Sequence, residues 1–108
     1  MVETPSSGDR PAVLLLDPRD TVAIALVPLS PGSTVALSRG AETVRLAVGA
    51  LIPFGHKIAV APMEAGGPVV KYGEMIGVAT RAIRPGEHVH VHNVRSDRAG
   101  AAGARSEV

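Results

Sequence analysis

Apolar residues in this chain fall in short runs, each closed within a few positions by glycine, proline or charge. The runs lie at 12–16, 22–27, 34–37, 43–48, 58–61, 69–72, 76–80 and 88–94. Across 43–48 the apolar positions alternate, with Val44, Leu46 and Val48 on one side, which is the period of a strand with one buried face. A helix of ordinary length, about 11 residues, has little room between the breakers, and the one competing reading is a short helical turn near 20–25. The pattern predicts an all-β fold of short strands and many turns.

A weak repeat sharpens this. The pattern apolar-x-x-Gly-x-x-apolar occurs at Leu29/Gly32/Val35, Ile52/Gly55/Ile58, Met63/Gly66/Val69 and Ile83/Gly86/Val89. Proline precedes the glycine in Pro31-Gly32 and Pro85-Gly86. Pro-Gly suits the centre of a type II turn, whose second central residue needs φ > 0. Each copy therefore reads as a strand entering a tight turn and leaving it. The uneven spacing of the copies excludes a solenoid and favours a compact, turn-dense barrel or clip. Asp17-Pro18-Arg19-Asp20 reads as another turn, its aspartates bonding nearby backbone N–H groups.

The chain has 108 residues, so one domain is expected, with an ordered part at 12–95 between flexible tails at 1–11 and 96–108. It is 45% hydrophobic but only 2% aromatic, so the core must be built from small aliphatic side chains. A net charge of +1 with scattered arginines gives no electrostatic case for nucleic acid or an anionic membrane surface. With no cysteine there is neither a disulfide framework nor a thiolate metal site. The polar start and the short first apolar run argue against a leader or a membrane span, so a soluble, cytoplasmic protein is expected.

Reactive side chains are scarce and concentrated. Of the 11 Lys and Arg residues nine are arginine, and the two lysines both lie in histidine-bearing stretches, His56-Lys57 and Lys71 to Asn93. His88, His90 and His92 alternate with valine, so a continuous strand at 88–94 would carry three imidazoles on one face and bury Val89 and Val91. Such a row can bind a metal, pass protons or hydrogen-bond a carboxylate, and the competing reading is a solvated outer face. Neighbours on one strand face lie about 6–7 Å apart. All three therefore cannot share one metal, while two could with a partner's help. Lys71 and Tyr72 would point to opposite faces of a strand, Lys71 as an anchor for a carboxylate or a base, Tyr72 at the core or its rim. Gly73 and Gly77 read as turn residues. Glu74 and Glu87 read as solvated acids. His56-Lys57 matters only if the fold carries it to the 88–92 histidines.

Three stretches go beyond pattern. Pro53-x-Gly55-His56-Lys57-Ile58-Ala59, Val70-Lys71-Tyr72-Gly73-Glu74-x-Ile76-Gly77-x-Ala79-Thr80 and Gly86-x-His88-Val89-His90-x-His92-Asn93 closely resemble the N-terminal module of the altronate/galactarate dehydratase family. That module is an SAF domain with a β-clip fold, also seen in the antifreeze-like domain of sialic acid synthases. The resemblance runs from about Leu15 to Val94. It implies a metal-dependent lyase, typically iron-linked, that eliminates water from sugar acids or, in the sulfolactate branch, sulfite from a sulfonated hydroxy acid. It also implies a larger catalytic domain beside the SAF module, in some members a separate subunit, and hence a small subunit that is inactive alone.

The site residues it implies are His90, His92 and Lys71 as catalytic groups, and His56, Lys57, Tyr72 and Asn93 for the carboxylate substrate. A divalent metal, iron by resemblance, would be held mainly by the large subunit, with His90 and His92 as the ligands from this chain. His88 matches the motif less firmly. Beside this subunit reading stands a non-catalytic SAF module that binds a carboxylate ligand or regulates a partner. A pilus or flagellar assembly role ranks third, since no export signal is visible. The Lys/His set separates the first reading from a purely structural clip. An oligomer is compatible with either.

Overall fold

A computed structural model describes residues 11–96. The tails expected at 1–11 and 96–108 fall almost wholly outside the described residues. Among the described residues nine strands carry the fold: β1 (Val13–Leu14), β2 (Val22–Ala25), β3 (Thr34–Arg39), β4 (Glu42–Ala47), β5 (Lys57–Ala59), β6 (Pro68–Lys71), β7 (Glu74–Ala79), β8 (His88–Val89) and β9 (Val94–Arg95). No helix is present among the described residues, and 20–25 is strand rather than helical turn. The strands form three antiparallel sheets, ordered β1-β2-β5-β8, β3-β4 and β6-β7-β9. The all-β expectation holds.

The repeat proves to be the construction unit. Gly32, Gly55, Gly66 and Gly86 have φ of 90°, 85°, 82° and 96°. In each copy the glycine is the third residue of a four-residue turn closed by a backbone bond, Ser33 N to Ser30 O, His56 N to Pro53 O, Gly67 N to Glu64 O and Glu87 N to Arg84 O. This is the type II geometry that demands a residue tolerant of positive φ. The copies also pair. Leu29 bridges Ile52 and Met63 bridges Ile83, each bridge exchanging two backbone hydrogen bonds of 2.8–2.9 Å.

Packing follows the same pairing. The apolar positions of the first two copies, Leu29, Val35, Ile52 and Ile58, lie in one buried cluster with Leu37, Leu46 and Val48. Those of the last two, Met63, Val69, Ile83 and Val89, lie in a second with Val22, Ala79 and Val94. β2 and β5 serve both: Ala23, Ala25 and Ile58 belong to the first cluster, Val22 and Ala59 to the second. The scarcity of aromatics explains why Ala23, Ala25, Ala59 and Ala79 are completely buried: strands lined by short side chains close on one another without large gaps.

One predicted strand is interrupted. Residues 88–94 do not run straight: β8 ends at Val89, the chain turns through 90–93, and β9 begins at Val94. Two causes act. β8 loses its partner there, because β5 begins at Lys57, opposite Val89, and the turn of the second repeat copy precedes it. Asn93 then supplies bonds that a ladder would have made. Its Oδ1 accepts from His90 N at 3.0 Å, its Nδ2 donates to His88 O at 2.9 Å, and its own N donates to His90 O at 3.1 Å. Such local side-chain bonding competes directly with strand continuation. Val91, expected in the core, is therefore 67% exposed, while Val89 is buried as expected. Gly77, expected in a turn, lies inside β7, where a Cβ would stand 2.6 Å from Arg95 O on neighbouring β9.

The turn glycines give a direct test. Gly66 has open space around its missing Cβ, so Gly66→Ala should act through backbone conformation alone. It should cost about 1–2 kcal/mol, or roughly 4–8 °C of Tm per kcal/mol in a domain this size. Gly66→Asn should cost less, since asparagine tolerates positive φ. Urea and thermal unfolding of both variants would check this; equal, negligible losses would contradict the turn assignment.

Candidate functional site

β5 and β8 bring the second and fourth repeat copies side by side, with Lys57 opposite Val89 and Ile58 opposite His88. His56 closes the turn before β5, so its ring arrives beside those that follow the fourth turn. His56 Nδ1 lies 2.9 Å from His88 Nε2, a hydrogen bond in which one imidazole donates and the other accepts. His56 also stacks on His90, with centroids 4.1 Å apart and planes 17° apart. His88 and His90 stand 5.5 Å apart at 11°, and His92 leans on His88 at 5.1 Å with a 35° tilt. The four histidines thus form one cluster in which His88 touches all the others.

The cluster is electropositive. Lys57 is only 5% exposed, and burial, then the nearby Lys71 ammonium, pushes its pKa down. Burial also lowers His88, reinforced by His92, His56, His90 and Lys57. His90 is lowered by burial and then by His56, Lys57 and His92. The neighbours that lower these three groups are Lys57, Lys71 and the histidines themselves. Several acids are engaged elsewhere: Glu87 with Arg81 and the Arg84 backbone, Asp17 with Arg19, Asp20 with two backbone amides. The result suits an anionic ligand. One polar atom stands out: His90 Nδ1 is buried without a hydrogen-bond partner. His56, His88 and His90 each offer a ring nitrogen, all within 4.8 Å of one another, so the donor set fits a divalent transition metal.

Lys71 ends β6, opposite Glu74, and Tyr72-Gly73 forms the two-residue turn between them. Both turn residues have positive φ, 63° and 74°, which is a type I′ hairpin. Tyr72 is therefore a hairpin-tip residue, 67% exposed, and not a strand residue at the core or its rim. A tyrosine in that conformation costs about 1–2 kcal/mol. The fully buried Asp20 offsets it: its carboxylate accepts from Tyr72 N at 2.9 Å and Gly73 N at 2.8 Å. Hydrogen bonds to a charged group contribute about 1.5–3 kcal/mol each. Thr21 adds a second tie, its N donating to Val70 O and its Oγ1 accepting from Val70 N. Behind the turn, Asp17 holds Arg19, and a Cβ on Gly73 would meet Arg19 Nη2 at 2.6 Å.

Of the residues singled out from sequence, His56, Lys57, Lys71, His90 and His92 are thus brought together by geometry or by mutual charge. Tyr72 is exposed at the hairpin tip, its amide bound by Asp20. Asn93 is fully buried with its amide group bonded to the backbone on both sides, so it shapes the 90–93 turn from within. Sequence reasoning underrated His88, the hub, although its spacing from His90 was a signal. It also read Asp20 as bonding locally; nothing in the sequence shows its reach to residues 52 and 53 positions away.

Two outcomes follow. Asp20→Ala should lose about 1–3 kcal/mol in urea unfolding and speed amide exchange at Tyr72 and Gly73, with Asp20→Asn losing less; unchanged exchange would refute the anchor. His88 and His90 bind protons more weakly in the folded chain than at the ordinary value of 6.5. Below that pH the unfolded chain holds more protons, so stability rises with pH there. Their contribution is complete above pH 6.5 and is lost as pH falls through the lowered folded values. Tm should drop between pH 7.5 and 5, less steeply in His88→Asn; an identical slope would remove these rings as the cause.

Comparison with known proteins agrees with the motifs. The family described as the altronate/galactarate dehydratase SAF domain matches residues 11–97. Altronate dehydratase of Escherichia coli (strain K12) is 40% identical over 78 residues, 72% of this chain but 15% of that protein. The (2R)-sulfolactate sulfo-lyase subunit alpha of Chromohalobacter salexigens is 45% identical over 57 residues, 53% of this chain and 61% of that subunit. Its counterpart in Paracoccus pantotrophus is 44% identical over 54 residues, 50% of this chain and 81% of that subunit. The chain therefore spans a small part of the altronate dehydratases and somewhat under two thirds of the first of these subunits. With a match across nearly all of its described residues, the chain belongs to the SAF-domain family of the altronate and galactarate dehydratases.

Proposed function

We propose that this chain is the small, SAF-domain subunit of a lyase that eliminates water or sulfite from a sugar acid or a sulfonated hydroxy acid, and that its cationic cluster completes the active site of a larger catalytic subunit. The observation that carries this reading is the convergence of His56, Lys57, Lys71, His88, His90 and His92, with lysines and histidines as the neighbours that act on Lys57, His88 and His90. A purely structural clip gains nothing from a buried lysine beside clustered imidazoles. The separate subunit is supported by the relatives named as subunit alpha of a sulfo-lyase.

The elimination needs a base for the proton α to the carboxylate, positive charge where the enolate develops, and an acid at the leaving group. Lys57 and Lys71 supply fixed positive charge for the carboxylate and the developing enolate. His90 and His92 move protons at the reacting carbon and the leaving oxygen or sulfur. The hydrogen bond between His56 Nδ1 and His88 Nε2 fixes the two rings against each other, one donating and the other accepting. A divalent metal, iron in this reading and held mainly by the large subunit, would add Lewis-acid stabilisation when bound. Phe54, two residues before His56, and Val91, between His90 and His92, are each 67% exposed, and in this reading the large subunit packs on them. No helix among the described residues is long and apolar enough to cross a membrane. In this reading the complex works in the cytoplasm.

Purification of the tagged protein from its native host, with an elimination assay on the product, tests this. A stoichiometric large subunit should co-purify. His92→Ala and Lys71→Ala should each lower activity by about 10²–10⁴-fold while retaining it. A chain that purifies alone would overturn the subunit reading and leave carboxylate binding as the alternative.

A further inference from the structure

The histidine cluster carries an inference that does not depend on a partner. We propose that His56, His88 and His90 form a binding site for one divalent transition-metal ion, held by this chain alone. The site differs from the ligand pair suggested by resemblance, His90 and His92. Among the described residues the ring contact of His92 is with His88, and His92 lies outside the converging set.

Three observations carry the proposal. One nitrogen from each of the three rings lies within 4.8 Å of the others. Ligand nitrogens around a tetrahedral ion at about 2.05 Å stand about 3.3 Å apart. The 2.9 Å between His56 Nδ1 and His88 Nε2 and the 4.8 Å upper limit bracket that separation, so no ring nitrogen has to close a gap by more than about 1.5 Å. Second, His90 Nδ1 is buried without a partner, an unfavourable state that a metal bond or a ring rotation to reach one would relieve. Third, the backbone beneath each ring is pinned. His56 closes its turn through Pro53 O, His88 pairs with Ile58, and His90 N is held by Asn93 Oδ1.

The rings do not yet face a common centre. Their planes lie within 11–22° of parallel, whereas an ion must sit in the plane of every ring that binds it. Binding therefore turns His90 off the face of His56. The three rings are half-buried, so none is fully enclosed by the core.

The chemistry narrows the ion. A set of imidazoles without carboxylate selects zinc, cobalt, nickel, copper or ferrous iron over calcium or magnesium, and zinc should bind more tightly than cobalt, and cobalt more tightly than ferrous iron. Lys57 and Lys71 oppose a dication, so affinity falls below that of a carboxylate-supported site. Three protein ligands leave a fourth position open, as in catalytic rather than structural zinc sites.

The test uses the untagged full chain, stripped of metal by chelation. Calorimetry and visible cobalt absorption should show one zinc or cobalt ion per chain and none of magnesium or calcium. Imidazole ¹⁵N spectra of the wild-type chain should show His56, His88 and His90 shifting with added zinc while His92 stays. His90→Asn should weaken binding by more than about 100-fold, beyond the usual cost of losing an outer-shell partner, and His92→Asn should retain it. No saturable binding, or shifts at His92 in place of the predicted three, would overturn the proposal. The wild-type spectra decide the matter even if a variant fails to fold. Failure here leaves the subunit reading standing, since there the large subunit holds the metal.

Discussion

The antiparallel register of β5 on β8 is the constraint on which the site depends. It joins the second repeat copy to the fourth and sets Ile58 opposite His88. A slip by one residue would send Val89 and Ile58 out of their cores and carry the imidazoles to the opposite face. The register is fixed from both sides. Ile58 and Val89 are completely buried, in different clusters, and neither can leave without opening a cavity. The hydrophobic packing of Ile58 and Val89 therefore sets the 2.9 Å contact between His56 and His88.

The cluster works against the fold that supports it. Burial and neighbouring cationic groups lower the proton affinity of Lys57, His88 and His90, because the folded chain accommodates their charge poorly. The tyrosine at the hairpin tip adds backbone strain of the kind that functional positions retain. An anion entering the cluster would reverse the electrostatic part of that penalty, which makes the unfavourable arrangement a reservoir of affinity.

Much of the fold was legible because it is local. The four repeat glycines announce four positive-φ turns, and alternation at 43–48 announces the buried face of β4. The motif stretches also named most members of the site. What escaped was non-local or hidden in a side-chain bond. Asn93 halts a strand that Val89 and Val91 seemed to continue, and only its bonds to His88 O and the His90 amide show why. Tyr72-Gly73 lacks the Asn-Gly or Asp-Gly signature of a type I′ turn, because its stabilisation comes from Asp20, fifty residues earlier in the chain. That His56 would meet His88 follows from the pairing of two repeat copies, which no window along the sequence can contain.

The interleaving of the two cores bears on cooperativity. Successive residues of β2, Val22 and Ala23, and of β5, Ile58 and Ala59, point into different clusters, so neither core can open without stripping a wall from the other. This interleaving disfavours partial unfolding of one half, so a single cooperative melting transition is expected rather than two. The histidines sit on that seam, His56 delivered by a copy from the first core and His88 by a copy from the second. The placement of the backbone beneath them is consequently a property of the whole molecule, while the rings themselves keep the freedom to turn.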